Sequence, residues 1–410
     1  MHEPTTTVST TVSVRTVVVT LGLVALAAGY GQFGATSALG DVAHAFGTVT
    51  NQSSFSARAG LSGSTLSIGL AILRAASLAA LPIASFADRV GRRRVLYVCG
   101  VLGLCITASA SLSPGFWWFV ALFALARPAL SAASALATVV TAELTTARTR
   151  VTALTIVGAG AGVGAGMSAI VHGIVRGPHG FRVLFATAII PLALVVVLVP
   201  RLKETLAVQH TAHPPRLGAI PREIRGRLAV VMGASAAIGA ISGPANGFAF
   251  VYAENFLKIS PAFVSLVVAC SALTGLAGLL IGRRLADRQG RRVAYAIGAL
   301  ASAATSLVAY SGGRPEFVVG YMVGVFAGGL FAPGAAALVT ESFPKAVRAS
   351  ASGWVIVASV LGAIAGLFVF GAVADATGST AWASVAAFLP GLPVLWLLRS
   401  LPETMGVTLT

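Results

Sequence analysis

The stretch ADRVGRRR, residues 87–94, comes back as LADRQGRR at 285–292, with Asp287 standing where Asp88 stood. In both copies an Asp-Arg pair, a Gly and two more Arg are wedged between long apolar runs. Charge is scarce elsewhere. The 410-residue chain is 56% hydrophobic and only 10% charged, with mean hydropathy +0.89. Soluble domains carry about 25% charged residues. A chain this apolar has no soluble core large enough to hide it, so it reads as an integral membrane protein.

About twenty apolar residues cross the hydrocarbon layer as a helix. That ruler gives twelve spans: near 15–40, 63–87, 94–113, 116–141, 150–175 and 182–200, then near 228–255, 261–286, 292–312, 317–341, 349–374 and 381–399. The runs are continuous and do not alternate, which argues against a barrel. The fold class is therefore all-α, with residues 1–200 as one six-helix bundle and 228–410 as a second. The basic stretch between them, 201–227, reads as a polar linker. The segment 41–62 reads as a loop.

The net charge is +16. In a soluble protein that would suggest nucleic acid, but these charges sit in short clusters between spans. With the N-terminus inside, the segments on its side hold 21 Lys and Arg, the opposite segments hold 5, and Arg74 and Arg127 fall inside spans. Cytoplasmic loops are enriched in this way. The expectation is a multi-pass protein of the plasma (bacterial cytoplasmic) membrane, both termini cytoplasmic. Trp117, Trp118, Trp382 and Trp396 fall near span ends, as interfacial anchors do. MHEPTTTVSTTVS lacks the compact apolar region of a cleaved signal, so the first span is expected to be retained. Cys99, Cys105 and Cys270 show no metal spacing and read as small hydrophobes.

The repeat is wider than one loop. Glu143 precedes Arg150 by seven residues, and Glu341 precedes Arg348 by seven, an offset of 198 against 199 for the Asp-Arg turns. GYGQFG (29–34) matches GPANGF (243–248) more loosely. Two parallel six-helix halves follow, related by an axis along the membrane normal.

These octets resemble the loop signature of the major facilitator superfamily, G-x-L-A-D-R-x-G-R-R/K. Ala84 and Arg283 stand where its leading Gly would be. The resemblance covers the whole chain and implies a secondary transporter working by alternating access. It also implies roles for the turns. Gly91 and Gly290 permit the tight reversal, and Asp88 and Asp287 face helix starts in the opposite half, near Ala349 and Val151. Arg89, Arg92, Arg93, Glu143, Arg150, Arg288, Arg291, Glu341 and Arg348 complete a latch that closes the cytoplasmic gate in the outward-open state and breaks in the inward-open one. The plainer alternative is that these arginines only anchor topology.

The deep polar inventory is cationic. Arg127 lies near the middle of the fourth span and Arg74 near the centre of the second, while none of the twelve acids sits near a span's midpoint. A mid-membrane Arg costs about 3 kcal/mol even on lenient scales, so each needs water or a partner. Arg127 resembles the Arg of the family's R-x-x-Q-G, but Leu130 and Ser131 replace Gln and Gly. Both arginines are candidate solute contacts, which favours an anionic or carboxylate metabolite. The alternative for Arg127 is a purely structural ion pair or hydrogen bond, and for Arg74 snorkelling or pairing with a backbone carbonyl. Tyr30, Gln32, Asn246 and Tyr252 are expected to face the cavity, or else to make ordinary interhelical hydrogen bonds, and Pro244 is expected to loosen the seventh helix. Asp41, His44 and His172, near the outer face, are the candidates for proton coupling. Gly158, Gly162 and Gly166 read as a close-packing row.

No H-E-x-x-H, G-x-S-x-G or P-loop pattern supports an enzyme, and no metal site is expected. The fifth-span run GAGAGVGAG lacks a preceding strand and is not a dinucleotide fingerprint. No cofactor is implied, and a proton gradient is left open as an energy source. The expected partners are a small-molecule solute and the lipid bilayer, with the chain a monomer. A multidrug efflux antiporter of the same fold is the runner-up, weakened by the missing Gly-Pro in the fifth span.

Overall fold

The computed structural model describes residues 14–50, 54–146, 149–175, 177, 179–202, 221–389, 392 and 396–401. Most of the expected linker (203–220), Arg148 and Arg176 lie outside the described residues. The described chain is helical throughout, and eleven of its helical segments are long and apolar enough to cross a membrane. Of the expected twelfth span, Thr380–Phe388 is described as a helix.

The first half consists of α1 (Val14–Ser37), the short α2 (Leu39–Phe46) and α3 (Phe55–Ala59), α4 (Gly63–Ser77) with α5 (Ala80–Val90), α6 (Arg92–Ser109), α7 (Phe116–Leu144), α8 (Arg150–Ile174), and α9 (Gly180–Ala186) with α10 (Ile189–Leu198). The second half consists of α11 (Arg222–Gly247), the single turn α12 (Ala249–Val251), a π-helical turn Tyr252–Phe256, α13 (Pro261–Gln289), α14 (Arg291–Ser311), α15 (Arg314–Glu341), α16 (Lys345–Thr377) and α17 (Thr380–Phe388). The segment expected as a loop, 41–62, thus contains most of α2 and all of α3. Ser54 and Ser62 cap the helices that follow them, accepting from Ala57 and Thr65 backbone N–H. An N-cap hydroxyl satisfies donors that helix geometry leaves free.

Within each half, close backbone contact replaces the hydrophobic drive that lipid cannot supply. α1 lies against α8 and α11 against α16. A Cβ on Gly160 would strike the Gly22 carbonyl, one on Gly164 the Leu26 carbonyl, and one on Gly362 the Ala236 carbonyl. The expected row was displaced by two residues. Gly158, Gly162 and Gly166 meet nothing within 4 Å, and the contact row is Gly160 and Gly164. Spacing alone gives either row, because a Gly at every second position places glycines on both faces. Trp117, Trp118, Trp382 and Trp396 are all exposed, as anchors require.

Gly164→Ala is expected to cost about 1–3 kcal/mol by overpacking, whereas Gly162→Ala costs nothing comparable. Thermal unfolding of the two variants in detergent, side by side, checks this and cancels the helix preference of alanine common to both.

Candidate functional site

The two signature turns fold alike. Gly91 and Gly290 both have φ of 110°, a backbone that side-chain-bearing residues rarely adopt, so each reversal between spans depends on glycine. Arg92 Nε donates to Asp88 Oδ1 at 2.7 Å and its Nη1 to Glu143. Arg291 Nη1 donates to Asp287 Oδ1 at 2.6 Å, and its Nε lies 3.5 Å from Glu341. Arg93 donates to the Leu202 carbonyl at the end of the sixth span, and Arg292 to those of Arg399 and Leu401. Arg150 reaches the Thr145 carbonyl and Arg348 that of Phe343. Arg89 and Arg288 are exposed. Every one of these bonds stays inside its own half. Among the described residues, the cross-half contact expected of Asp88 and Asp287 is not made in this conformation, and both acids hold arginines of their own bundle instead.

The halves do meet at the face away from these turns, the far face. Ser67 Oγ donates to the Leu367 carbonyl at 2.7 Å, and Ser265 Oγ to the Ala169 carbonyl at 2.5 Å. Gly371 and Gly173 let the respective serines approach. Asp375, near the end of α16, accepts from the first backbone N–H groups of α4: Gly63 N at 2.6 Å and Ser64 N at 2.8 Å, with Ser64 Oγ at 2.6 Å. An anion at a helix start is stabilised by the free N–H groups and the dipole. This is the acid-on-helix contact expected of the signature aspartates, made by a different acid on the opposite face.

A second ionic group closes the same seam. His172 Nε2 lies 2.8 Å from Glu254 Oε1, and His172 Nδ1 lies 3.4 Å from Asp41 Oδ2. The imidazole is 1% exposed. The π turn, with one extra residue per hydrogen-bonded ring, carries Glu254 at the far end of the seventh span. Of the coupling candidates, Asp41 and His172 are brought together. His44 is turned elsewhere, to the backbone of Arg58. Burial pushes the Asp41 carboxyl up to about 7, and the His172 charge opposes that rise while Glu254 adds to it. Burial lowers His44.

The expected solute contacts separate into groups. Arg127 Nη1 donates to the Gln32 carbonyl at 2.9 Å, and Ser131 Oγ to the Gln32 side chain at 3.3 Å. Arg127 Nε is buried without a hydrogen-bond partner. The positive charge of Arg74 is felt at Arg127, and no acid forms an ion pair with either among the described residues. Tyr30 is buried, its hydroxyl bonded to Leu184 and Thr187 of the sixth span. Tyr252 is buried too, donating to the Gly312 carbonyl and packed on Tyr310. Asn246 lines a pocket of about 250 Å³ with Ser242, Ser302, Ser306 and Tyr321. Below it the seventh helix breaks after Gly247, as Pro244 suggested, and Tyr310 hydroxyl bonds the Pro244 and Ala245 carbonyls. Sequence reading missed the roles of Glu254 and Asp375. The available signal was that only twelve acids exist, and these two sit at span ends on the side poor in charge.

The family model described as Major Facilitator Superfamily matches residues 21–256 and 228–408, two overlapping matches that together span nearly the whole chain. The chain belongs to the major facilitator superfamily. Its fold is similar to the inward-open structure of the xylose transporter XylE from E. coli, at TM-score 0.74 and 19% identity, covering 97% of this chain and 98% of that one. It is also similar to the nucleoside transporter NupG, at TM-score 0.69 and 15% identity, covering 94% and 98%. A bacterial homolog of the human lysosomal transporter Spinster, inward-facing, gives TM-score 0.68 and 14% identity over 94% and 95%. As in this superfamily generally, two bundles enclose a path for a solute, and here the seam is shut at the far face.

Asp375→Asn keeps the shape but removes the charge that faces the α4 N-terminus. Far-face opening is expected to rise, read as faster maleimide labelling of a single cysteine at Ser62.

Proposed function

We propose that this protein is a secondary transporter carrying a small anionic solute, with a carboxylate as the preferred group, by alternating access in the cytoplasmic membrane. The observation carrying the solute class is the Arg127 guanidinium, buried, with Nε unpartnered and the uncompensated charge of Arg74 beside it. Two cations in a membrane interior need a counter-charge, and a transported anion supplies one. The Gln32 carbonyl holds Arg127 through Nη1, Ser131 bonds the Gln32 side chain, and the Nε edge is left free to donate.

Orientation follows from the Lys and Arg asymmetry: the signature turns face the cytoplasm. In that frame the far face is the outer one, and the structure is closed outside with the inner latch undone. The intra-half pairs of Asp88 and Asp287 then describe the resting partners of the latch in the inward-open state. Both halves rock about the seam, and the outer serine, Asp375 and Glu254 contacts must break for the solute to enter from outside.

A neutral, hydroxyl-rich solute is a second reading. It is favoured by the pocket at Asn246, which has serine hydroxyls and Tyr321 in its lining and no Asp, Glu, Lys, Arg or His. The similar fold of a xylose transporter accords with it.

Proteoliposomes loaded with one radiolabelled solute at a time, from carboxylates to pentoses and nucleosides, with ethidium efflux as the drug arm, separate these readings. For a carboxylate substrate, Arg127→Met is expected to weaken binding about 10–100-fold, since hydrogen bonds to charged groups are worth about 1.5–3 kcal/mol. Carboxylate affinity unchanged by Arg127→Met, measured by thermal shift and uptake, would overturn the anion assignment.

A further inference from the structure

Three ionisable groups that no solute contact uses lie together at the closed face. Asp41 comes from α2, His172 from the last turn of α8, and Glu254 from the π turn of the other half. Their nitrogen and oxygen atoms lie within 4.8 Å of one another. The side chains are 16%, 1% and 7% exposed, and the His172 ring rests edge-on against Phe250. No backbone requirement explains this grouping, and closing the seam is what buries it.

The arrangement suits protons better than a metal ion. A metal takes one imidazole lone pair and needs its carboxylates on that same side. Here each ring nitrogen points to its own carboxylate, Nε2 to Glu254 and Nδ1 to Asp41. That is a chain of carboxylate, imidazole and carboxylate. With the ring protonated and both acids ionised it carries one net negative charge, and one more proton makes it neutral. Burying an uncompensated charge costs several kcal/mol, so the closed seam favours the neutral form.

We propose that Asp41, His172 and Glu254 form a proton-binding bolt between the halves, so that protons at the outer face hold that face shut. Opening moves Glu254 away with its half and hydrates Asp41, which then releases its proton. Asp41 is the member of the acid pair that lies outside the spans. Its carboxyl is pushed up to about 7 in the closed state, by burial first. In the open, hydrated state it returns to the usual carboxylate range of about 4. The closed state therefore binds more protons between those values. Its advantage is complete below the open-state value and is lost as pH rises through the closed-state one.

Among the described residues, the charged groups near the site bond elsewhere. His44 faces the Arg58 backbone, and Arg58 itself donates to the Phe256 carbonyl. Arg182 of α9 is bonded to the Ser111 and Ser113 carbonyls, and Arg314 to those of Leu257 and Lys258. Lys258 is exposed, and α13 carries no charge before Arg283.

The inference rests on the alternating-access reading, and one experiment keeps the two apart. Spin labels at Leu112→Cys and Ser311→Cys report the far face. Labels at Val90→Cys and Gln289→Cys report the turn face. Both pairs go into full-length protein in nanodiscs, with the native cysteines replaced by alanine. As pH rises from 4.5 to 7, the ratio of far-face-open to far-face-closed is expected to climb about tenfold per unit and then level off. Asp41→Asn and Glu254→Gln are expected to keep the far face closed at pH 8. A far-face distance that ignores pH in the unmutated gate, or the same pH midpoint in both folded variants, overturns the bolt. The unmutated profile decides even where a variant does not fold. Reciprocal movement of the two faces without pH dependence leaves alternating access standing and removes the bolt. A pH-dependent far face beside a fixed turn face does the reverse.

Discussion

The polar contacts across the seam between the two bundles are the part of it that water can replace reversibly. Lipid tails are as apolar as leucine, so two helical halves gain little from touching each other. Among the ties that join them are Ser67 to the Leu367 carbonyl, Ser265 to the Ala169 carbonyl, Asp375 on the start of α4, Glu254 on His172 and Arg58 to the Phe256 carbonyl, beside the rings of Phe55, Phe248 and Phe256. Each is a bond that water can replace when that face opens. A seam of this kind can close firmly and still come apart, which a seam of interlocked leucines in a soluble core does not do.

The repeat shows in the seam itself. The two serine bonds are related by an offset of 198 at both donor and acceptor, the same offset that relates Glu143 to Glu341. On the turn face the ties of Arg150 and Arg348 also share that offset at both ends. The symmetry is broken where charge enters. The position equivalent to His172 is Phe370, and the position equivalent to Asp375 is Gly177. One side of the seam is thus closed by a carboxylate on a helix start and the other by an imidazole between two acids. The serine framework is common property of the halves, and the two ionic closures are each private to one interface. Private closures are where one protein can be made sensitive to pH or to a particular solute while the shared framework keeps the fold.

The turn face and the middle divide the labour differently. Of the signature arginines, Arg92, Arg93, Arg291 and Arg292 bond within their own bundles. In the interior the balance is left open: Arg127 has a free Nε, and Arg74 adds repulsion without an acid to offset it among the described residues.

The sequence by itself determined the membrane class, the span positions, the two parallel halves and the turns at Gly91 and Gly290, because span length, hydropathy and a duplicated octet are local properties of the chain. It also located Arg127, Arg74, Asp41 and His172, since an ionisable residue in or beside an apolar run is conspicuous in any register. Only the tertiary structure decided which charges meet. Tyr30 and Tyr252, legible as polar groups in spans, turn to neighbouring helices of their own halves, and the glycine contact row on α8 sits two residues from the expected one. Glu254 reaches His172 because a π turn carries it and a seam closes over it, and Asp375 meets α4 across 312 positions of sequence. Pairings at that distance depend on how two bundles dock, and the docking in turn depends on which face is shut, which no window of residues records.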